Sequence, residues 1–517
     1  MEAYDEIERK YEVGPSTPVP RLDALPKIAT VEDPRELELE SVYFDTAGHD
    51  LMRVGVTLRR RTGGDDEGWH LKLPRGPGDR EELREPLRRR AAPSTVPQAL
   101  RLLVKVHVRG RKLRPVATVR NRRVVYRLLG KDGTPLAEFC DDTVTATVPQ
   151  RDGSATSSAW REWELELLEA PRKLLTAADD LVVAVGARPA VAASKLARAL
   201  GAPASDRAGL IARKPSKRGP AGVVLLAHLH EQVDTIKAFD PKVRRDQPDA
   251  VHKMRVSTRR LRSALSTMKP LLDQESSGHL RAELKWLAGV LGHARDAEVM
   301  RDRLMTMATE DAAAAAAHAG VDTEVTGDLS SELDARYRAA HADVLRTLDS
   351  ARYFRLLDSL DALLDSPPWT GVAEEPARKV LPALVHRDWR RVKKRAQAAA
   401  HAPTSAEQDA ELHELRKGSK RLRYACEALE PVFGEPASEL GAAAKELQEV
   451  LGEHQDSVVS QELLRQLAAQ AGLPGDVAFV LGRLQILEQE HAARSRSHYE
   501  TAWSQVADKR HRRWLRR

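Results

Sequence analysis

The chain has 517 residues, of which 42% are hydrophobic and 31% charged, so it can hold several domains with ordinary cores and is neither a disordered nor a fibrous composition. A net charge of +7 points to an acidic partner. The two cysteines, Cys140 and Cys426, are too few and too distant for a disulfide framework or a cysteine metal site, which fits a reducing compartment. The N-terminus lacks the basic and apolar segments of a signal peptide, and no run approaches the roughly 18 apolar residues of a membrane span. A cytoplasmic protein without membrane association is expected.

Residues 1–200 read as strands with few helices. Glu6-Ile7-Glu8-Arg9-Lys10 opens the series. In an extended strand, Glu6, Glu8 and Lys10 share one face. Paired carboxylates suit a hard divalent cation, and a neighbouring lysine suits a phosphate oxygen. Ser41–Thr46 and Val54–Arg61 are β-prone, and Gly63–Gly68 has the composition of a hairpin turn before Trp69–Leu73. Residues 95–108 have helical spacing. Val116–Leu129 is strand-like and ends in the Asp-Gly turn of Gly130–Gly133. Leu136–Val148 and Trp160–Leu168 are further strands, and Ala190–Leu200 reads as a helix. Many strands joined by turns predict a closed or strongly curved antiparallel sheet.

Residues 201–222 are rich in Pro, Gly and Ser and read as a linker. Long helices follow nearly to the end, with Pro367-Pro368 dividing them and the Ala-rich run 311–317 giving no register. The division expected is a β-domain over 1–203, a linker over 204–221 and a helical domain over 222–517, itself two repeats of about 222–366 and 369–517. The repeat is visible in the residues. Val251–Arg262 recurs as Leu412–Arg423, and Leu287–Gly292 with Asp296 recurs as Leu447–Gly452 with Asp456. On a helical wheel His252, Arg255, Arg259 and Arg262 fall within an arc of about 80°. His413, Arg416, Lys420 and Arg423 repeat that stripe. It carries almost no carboxylate, so like charges repel along it unless an anion is bound.

Both halves resemble known families. The helical half is similar to the CHAD domain, built of two related four-helix bundles. The first half resembles the CYTH domain of the triphosphate tunnel metalloenzymes. That resemblance rests on the ExExK motif at Glu6, Glu8 and Lys10, on Tyr43–Thr46, on Arg59 with Arg61, and on Lys72. It continues through Arg80, Glu82, Arg120 with Arg122, Asp141-Asp142, Glu164 with Glu166, and Ser194-Lys195. The implied fold is a multidomain α+β chain, an antiparallel β-barrel tunnel with flanking helices followed by an all-α domain.

The resemblance also implies a chemistry. A triphosphate would be neutralised by Lys10, Arg59, Arg61, Lys72, Arg80, Arg120, Arg122 and Lys195. Mg²⁺ or Mn²⁺ would be held by Glu6, Glu8, Glu164 and Glu166, with Asp142 and Glu82 next in line. Glu6, Glu8, Lys10 and Lys72 would carry the catalysis. The expected reaction is hydrolysis of inorganic triphosphate to diphosphate and phosphate, which needs positioning and charge stabilisation more than a nucleophile. Arg123 competes with Arg122 for the inward position. The helical half would bind polyphosphate through His252, Arg255, Arg259, Arg262, His413, Arg416, Lys420 and Arg423, with association to polyphosphate granules as a further expectation. Adenylate cyclase and thiamine triphosphatase activities belong to the same domain family and stand as alternatives, as does a non-enzymatic polyphosphate binder. Nucleic acid is a poorer partner, because few aromatics interleave with the basic residues.

Overall fold

The computed structural model describes the chain except for residues 77–78, 89–91, 151, 202–213, 317–322, 470–474 and 517. The linker as far as Arg213 and the end of the Ala-rich run at Ala317 lie outside the described residues. The chain divides into two compact units, Met1–Ala212 and Arg213–Arg517.

The first unit is a closed antiparallel barrel. Its eight staves are β1 (Glu2–Val13), β3 (Arg35–Asp45), β4 (Thr57–Thr62), β5 (Gly68–Gly76), β6 (Asp79–Glu85), β7 (Arg114–Leu129), β8 (Pro135–Pro149) and β9 (Ala155–Leu167). They follow the order β1-β6-β5-β4-β3-β7-β8-β9 and close back on β1. Closure is made by β1 itself: Glu2–Ile7 pair with β6, and Glu8–Val13 pair with β9. Two short strands, β2 (Thr30–Val31) and β10 (Arg188–Pro189), add to β7 and β1.

The period-two alternation of each strand is inverted relative to a packed barrel, because the outward face carries the apolar residues. Tyr11, Phe139, Trp163, Leu165 and Leu128 face out and pack on Leu174, Leu175, Ala178 and Val182 of a helix, α3 (Lys173–Ala184), that the strand-dominated sequence pattern does not reveal. On the other side Leu58, Trp69, Leu71 and Leu83 pack on Leu100, Leu103 and Val104 from α1 (Gln98–Leu103) and the start of α2 (Lys105–Val108). With both apolar surfaces covered from outside, the interior is left for charge.

A further apolar cluster sits toward one end of the barrel. Tyr43, Ala117, Val119, Val144 and Ala146 cluster with Leu196 of the short helix α4 (Lys195–Ala199). Ser194 starts this helix, its Oγ accepting from the Ala197 N–H at 3.1 Å.

The second unit is all helical: α5 (Ala221–Arg244), α6 (Ala250–Thr267), α7 (Gln274–Ala316), α8 (Thr323–Leu348), α9 (Ala351–Asp365), α10 (Ala377–Ala400), α11 (Ser405–Phe433), α12 (Glu435–Ala468) and α13 (Gly475–Ala507). The repeat maps α5–α8 onto α10–α13, each helix packing on the next, and Pro367-Pro368 separates the two sets. The apolar stripes beside the basic ones are the core: Met254, Leu261 and Leu265 on α6, and Leu415, Leu422, Cys426 and Leu429 on α11, are all buried. Among the described residues no helix is long and apolar enough to cross a membrane.

Candidate active site and a basic groove

The barrel encloses a cavity of about 490 Å³ whose walls alternate cations with carboxylates. Strand register explains who faces it. Glu6 lies opposite Arg80, Lys10 opposite Glu164, Lys72 opposite Glu82, and Arg123 opposite Asp142. Glu6, Lys10, Arg59, Arg61, Lys72, Arg80, Glu164, Glu166 and Lys195 line the cavity together, with Arg84 and Arg123 beside them. The side chain of Glu8 is nearly covered, and its carboxylate meets Lys10 at 2.8 Å and Arg80 at 3.6 Å.

Arg120 and Arg122 do not face this cavity. Both point outward, where Arg120 pairs with Glu40 at 2.9 Å and Arg122 pairs with Glu36. The expectation that they face a ligand is corrected by register: Arg123 shares the parity of Asn121 and Val125, and its guanidinium meets Asp142 at 2.7 Å and Glu164 at 2.5 Å. Arg123 is thus the inward one of the two arginines that competed for this position, Arg84 joins Arg80 in place of being only its alternative alignment, and the buried Glu162 is a site residue absent from the expected set. The signal for Arg84 was its two-residue spacing from Glu82.

The carboxylates fall into two groups. Asp142, Glu162 and Glu164 bring one oxygen each within 4.8 Å of one another, the spacing of a metal site. Yet the Lys195 ammonium already lies 2.7–2.8 Å from all three. Burial disfavours charge on Glu164, but Lys10, Lys195 and Arg123 outweigh it and hold the carboxyl well below its ordinary range. Asp142 is likewise held at about 2, with Arg123 and Lys195 overcoming burial. These three are neutralised by the protein's own cations.

Glu6, Glu8 and Glu166 differ. Glu8 and Glu166 are register partners across β1 and β9. Glu6 gives one oxygen to Lys72, while its Oε2 is buried with no hydrogen-bond partner. Glu166 has no ion pair among the described residues, and burial, with Glu6 and Glu8 nearby, pushes its carboxyl up to about 7 against the pull of Lys72. An orphaned oxygen and an un-neutralised carboxylate in one wall fit a divalent cation with oxygen ligands. Glu82 does not fit. It is enclosed by His70, Lys72, Arg59 and Arg84.

In the second unit, α6 and α11 bring their stripes together. A cavity of about 510 Å³ is lined by His252, Arg255, Arg259, His413, Arg416 and Lys420. A second, of about 600 Å³, shares Arg259 and Lys420 and adds Arg262 with Arg391, Lys394, Arg395 and Arg421. Those last four extend the groove beyond the expected stripe, and three of them come from the basic end of α10. Arg423 lines neither cavity. Its guanidinium is taken by Glu427 at 2.6 Å, which also holds Arg260, so its expected place in the groove is corrected.

The repeat is preserved in detail. Arg255 pairs with Asp296 at 3.2 Å and lies across Gly292, and Arg416 pairs with Asp456 at 3.5 Å and lies across Gly452. Both arginine Nε atoms are buried without a partner. Arg259, Arg262 and Lys420 have no carboxylate partner among the described residues. Burial, together with Arg259, Arg416 and Arg255, pushes the Lys420 ammonium down to about 6.

Comparison with known proteins agrees with this division. The CYTH domain model matches residues 5–191 and the CHAD domain model residues 227–465. The uncharacterized protein Rv2226 of Mycobacterium tuberculosis is 40% identical over 511 residues, covering 96% of this chain and 95% of its own length. Among solved structures, the CHAD domain from the plant Ricinus communis is 23% identical, with a TM-score of 0.45, and covers 57% of this chain and 94% of its own. HpAC1 from Hippeastrum, described as an adenylyl cyclase candidate with a dominant triphosphatase activity, is 20% identical, with a TM-score of 0.24, and covers 38% of this chain and 95% of its own. A barrel lined by charge, a duplicated helical unit with a basic groove and a relative aligned over nearly its whole length converge: the chain belongs to the family of proteins in which a CYTH domain is followed by a CHAD domain.

Proposed function

We propose that the barrel hydrolyses inorganic triphosphate to diphosphate and phosphate with a divalent metal, and that the helical unit binds polyphosphate. The observation that carries the first reading is the barrel cavity, in which many cations face a carboxylate wall left short of positive charge. The cations that line it are Lys10, Arg59, Arg61, Lys72, Arg80, Arg84, Arg123 and Lys195. Fixed guanidiniums and ammoniums in a partly dehydrated tunnel bind phosphate oxygens and stabilise the charge that shifts between them during transfer. Glu6, Glu8 and Glu166 would hold Mg²⁺ or Mn²⁺, while Glu164 stays with Lys10, Arg123 and Lys195. When bound, the metal supplies charge neutralisation of phosphate oxygens and acidifies water.

The test is phosphate release from tripolyphosphate by the purified chain with each metal, alongside ATP, thiamine triphosphate and long-chain polyphosphate. Release from tripolyphosphate above the others is expected; none with either metal in a folded sample removes the enzyme reading. A second reading, a triphosphate ester, is favoured by one feature. Tyr4, Leu37, Leu39 and Val125 give the mouth an apolar side able to take an organic group. Faster turnover of ATP or thiamine triphosphate would select it.

Register makes a sharper prediction. Arg123→Ala is expected to raise the KM for tripolyphosphate at least tenfold, the scale of losing a charge-assisted hydrogen bond, because Arg123 faces the cavity. Arg120→Ala and Arg122→Ala should stay within about twofold, since exposed ion pairs contribute little. Steady-state kinetics in the opposite order would refute the inward assignment of Arg123.

The groove reading rests on cations held without carboxylate partners. A linear polyanion satisfies Arg259, Arg262, Lys420 and the free edges of Arg255 and Arg416 at once.

A further inference from the structure

His70 stands two residues before Lys72 on β5, and its side chain is fully buried. Its Nδ1 lies 2.9 Å from Glu82 Oε1, and its Nε2 lies 2.8 Å from the backbone carbonyl of Asp66. Both neighbours are acceptors. Burial lowers the ring's pKa, so it carries one proton and donates through one nitrogen: the Glu82 carboxylate, the stronger acceptor, takes it on Nδ1, while Nε2 sits against the Asp66 carbonyl, and the ring spans the β4–β5 turn and Glu82.

Each end of that tie reaches phosphate-facing cations. Glu82 Oε1 is 3.7 Å from Arg59 and 3.8 Å from Lys72, and its Oε2 accepts from Arg84 at 2.5 and 2.9 Å. Asp66, in the turn, accepts from Arg61 at 2.5 Å. Glu82 is thus an anionic hub for three cations from three neighbouring strands. Without the ring, it would be held only by the side chains it is supposed to hold.

We propose that His70 is a positioning residue of the triphosphate site: through Nδ1 it fixes Glu82, and Glu82 fixes Arg59, Lys72 and Arg84 as one preorganised array. This rests on the triphosphatase reading. A carboxylate anchored by a rigid, buried ring keeps three flexible cations from being ordered at the expense of substrate binding. Packing against the turn at Asp66 sets where the ring stands, and the Nδ1–H bond to Glu82 does the positioning.

The two contacts can be separated. Glutamine places its amide where Nε2 stands, keeping the turn and losing Glu82. Asparagine places its amide where Nδ1 stands, keeping Glu82 and losing the turn. His70→Gln is expected to raise the KM for tripolyphosphate about tenfold with kcat nearly unchanged, the scale of one hydrogen bond to a charged group. His70→Asn should recover the KM to within about threefold, although its smaller side chain leaves the larger cavity and melts earlier. A purely structural ring would give the reverse order, with KM following stability, and that result overturns the assignment, as does a KM unchanged in both. If the asparagine variant does not fold, His70→Gln is combined with Arg84→Ala. Losses smaller together than the product of the single ones support the shared hub, and independent losses overturn it. A wild-type chain inactive toward tripolyphosphate overturns the triphosphatase reading and this assignment with it, whereas an active wild type with unaffected variants overturns the assignment alone.

Discussion

Glu166→Gln is expected to raise the melting temperature of the metal-free chain above pH 7 while lowering kcat for tripolyphosphate about 10³-fold. The two effects have one cause. Burial and the neighbouring Glu6 and Glu8 hold the Glu166 carboxyl up at about 7, so the folded chain keeps this proton better than the unfolded one. Its stabilising contribution is complete below the ordinary carboxyl range and is lost as pH rises through about 7. The loss is about 3 kcal/mol from the displacement of that pKa. A permanently neutral amide does not suffer it. Thermal melts in chelator should therefore diverge progressively from the ordinary carboxyl range up to about pH 7 and stay apart above it, with the variant higher. Mg²⁺ or Mn²⁺ should close the gap by stabilising only the wild type. The activity loss follows because an amide is a poor ligand for a hard cation, whose charge stabilisation is worth several kcal/mol. Coincident melting curves at pH 8, or full activity in the variant, would contradict the metal-wall assignment.

Polyphosphate binding by the helical unit should take up nearly one proton per site at pH 7.5. Lys420, pushed down to about 6 by burial and by Arg259, Arg416 and Arg255, is mostly neutral when no anion is present. A seated polyanion reverses that repulsion and restores the ammonium. Above about pH 6 the affinity should fall about tenfold per pH unit until the pKa of the bound state is reached. Calorimetry of the full chain in metal-free buffers of different ionisation heat measures the uptake. Subtracting the same experiment on Lys420→Met isolates it from any binding in the barrel. An equal uptake in both proteins would show that the groove does not seat its ligand on Lys420.

How much of this could be read beforehand depends on the kind of pattern. Glu6, Glu8 and Lys10 are unambiguous, since only one parity of that strand carries both carboxylates and the lysine. Arg59 and Arg61 are flanked by Arg60, but the parity shared with Thr57 keeps them inward. Arg120-Asn121-Arg122-Arg123 has arginines on both parities, so alternation cannot choose, and only pairing with β3 and β8 shows that Arg123 faces Asp142. The same limit hides His70, whose role comes from a carbonyl in the turn before it and a carboxylate on the next strand. On helices the wheel put His252, Arg255, Arg259, Arg262, His413, Arg416 and Lys420 on stripes that line two cavities sharing Arg259 and Lys420. At Arg423 the wheel already held the answer, because Glu427, four residues on and about 40° away on the same helix, takes its guanidinium.

The residues by themselves determined the local periodicities, the duplication in the helical half and the chemical character of each stripe, because these depend only on spacing along one element. What the tertiary structure alone decided is neutralisation. Asp142, Glu162 and Glu164 are satisfied by Lys195 arriving on a distant helix, whereas Glu6 and Glu166 are left short of positive charge. Register, barrel closure and burial set which charges meet, and none of these is a property of a single strand.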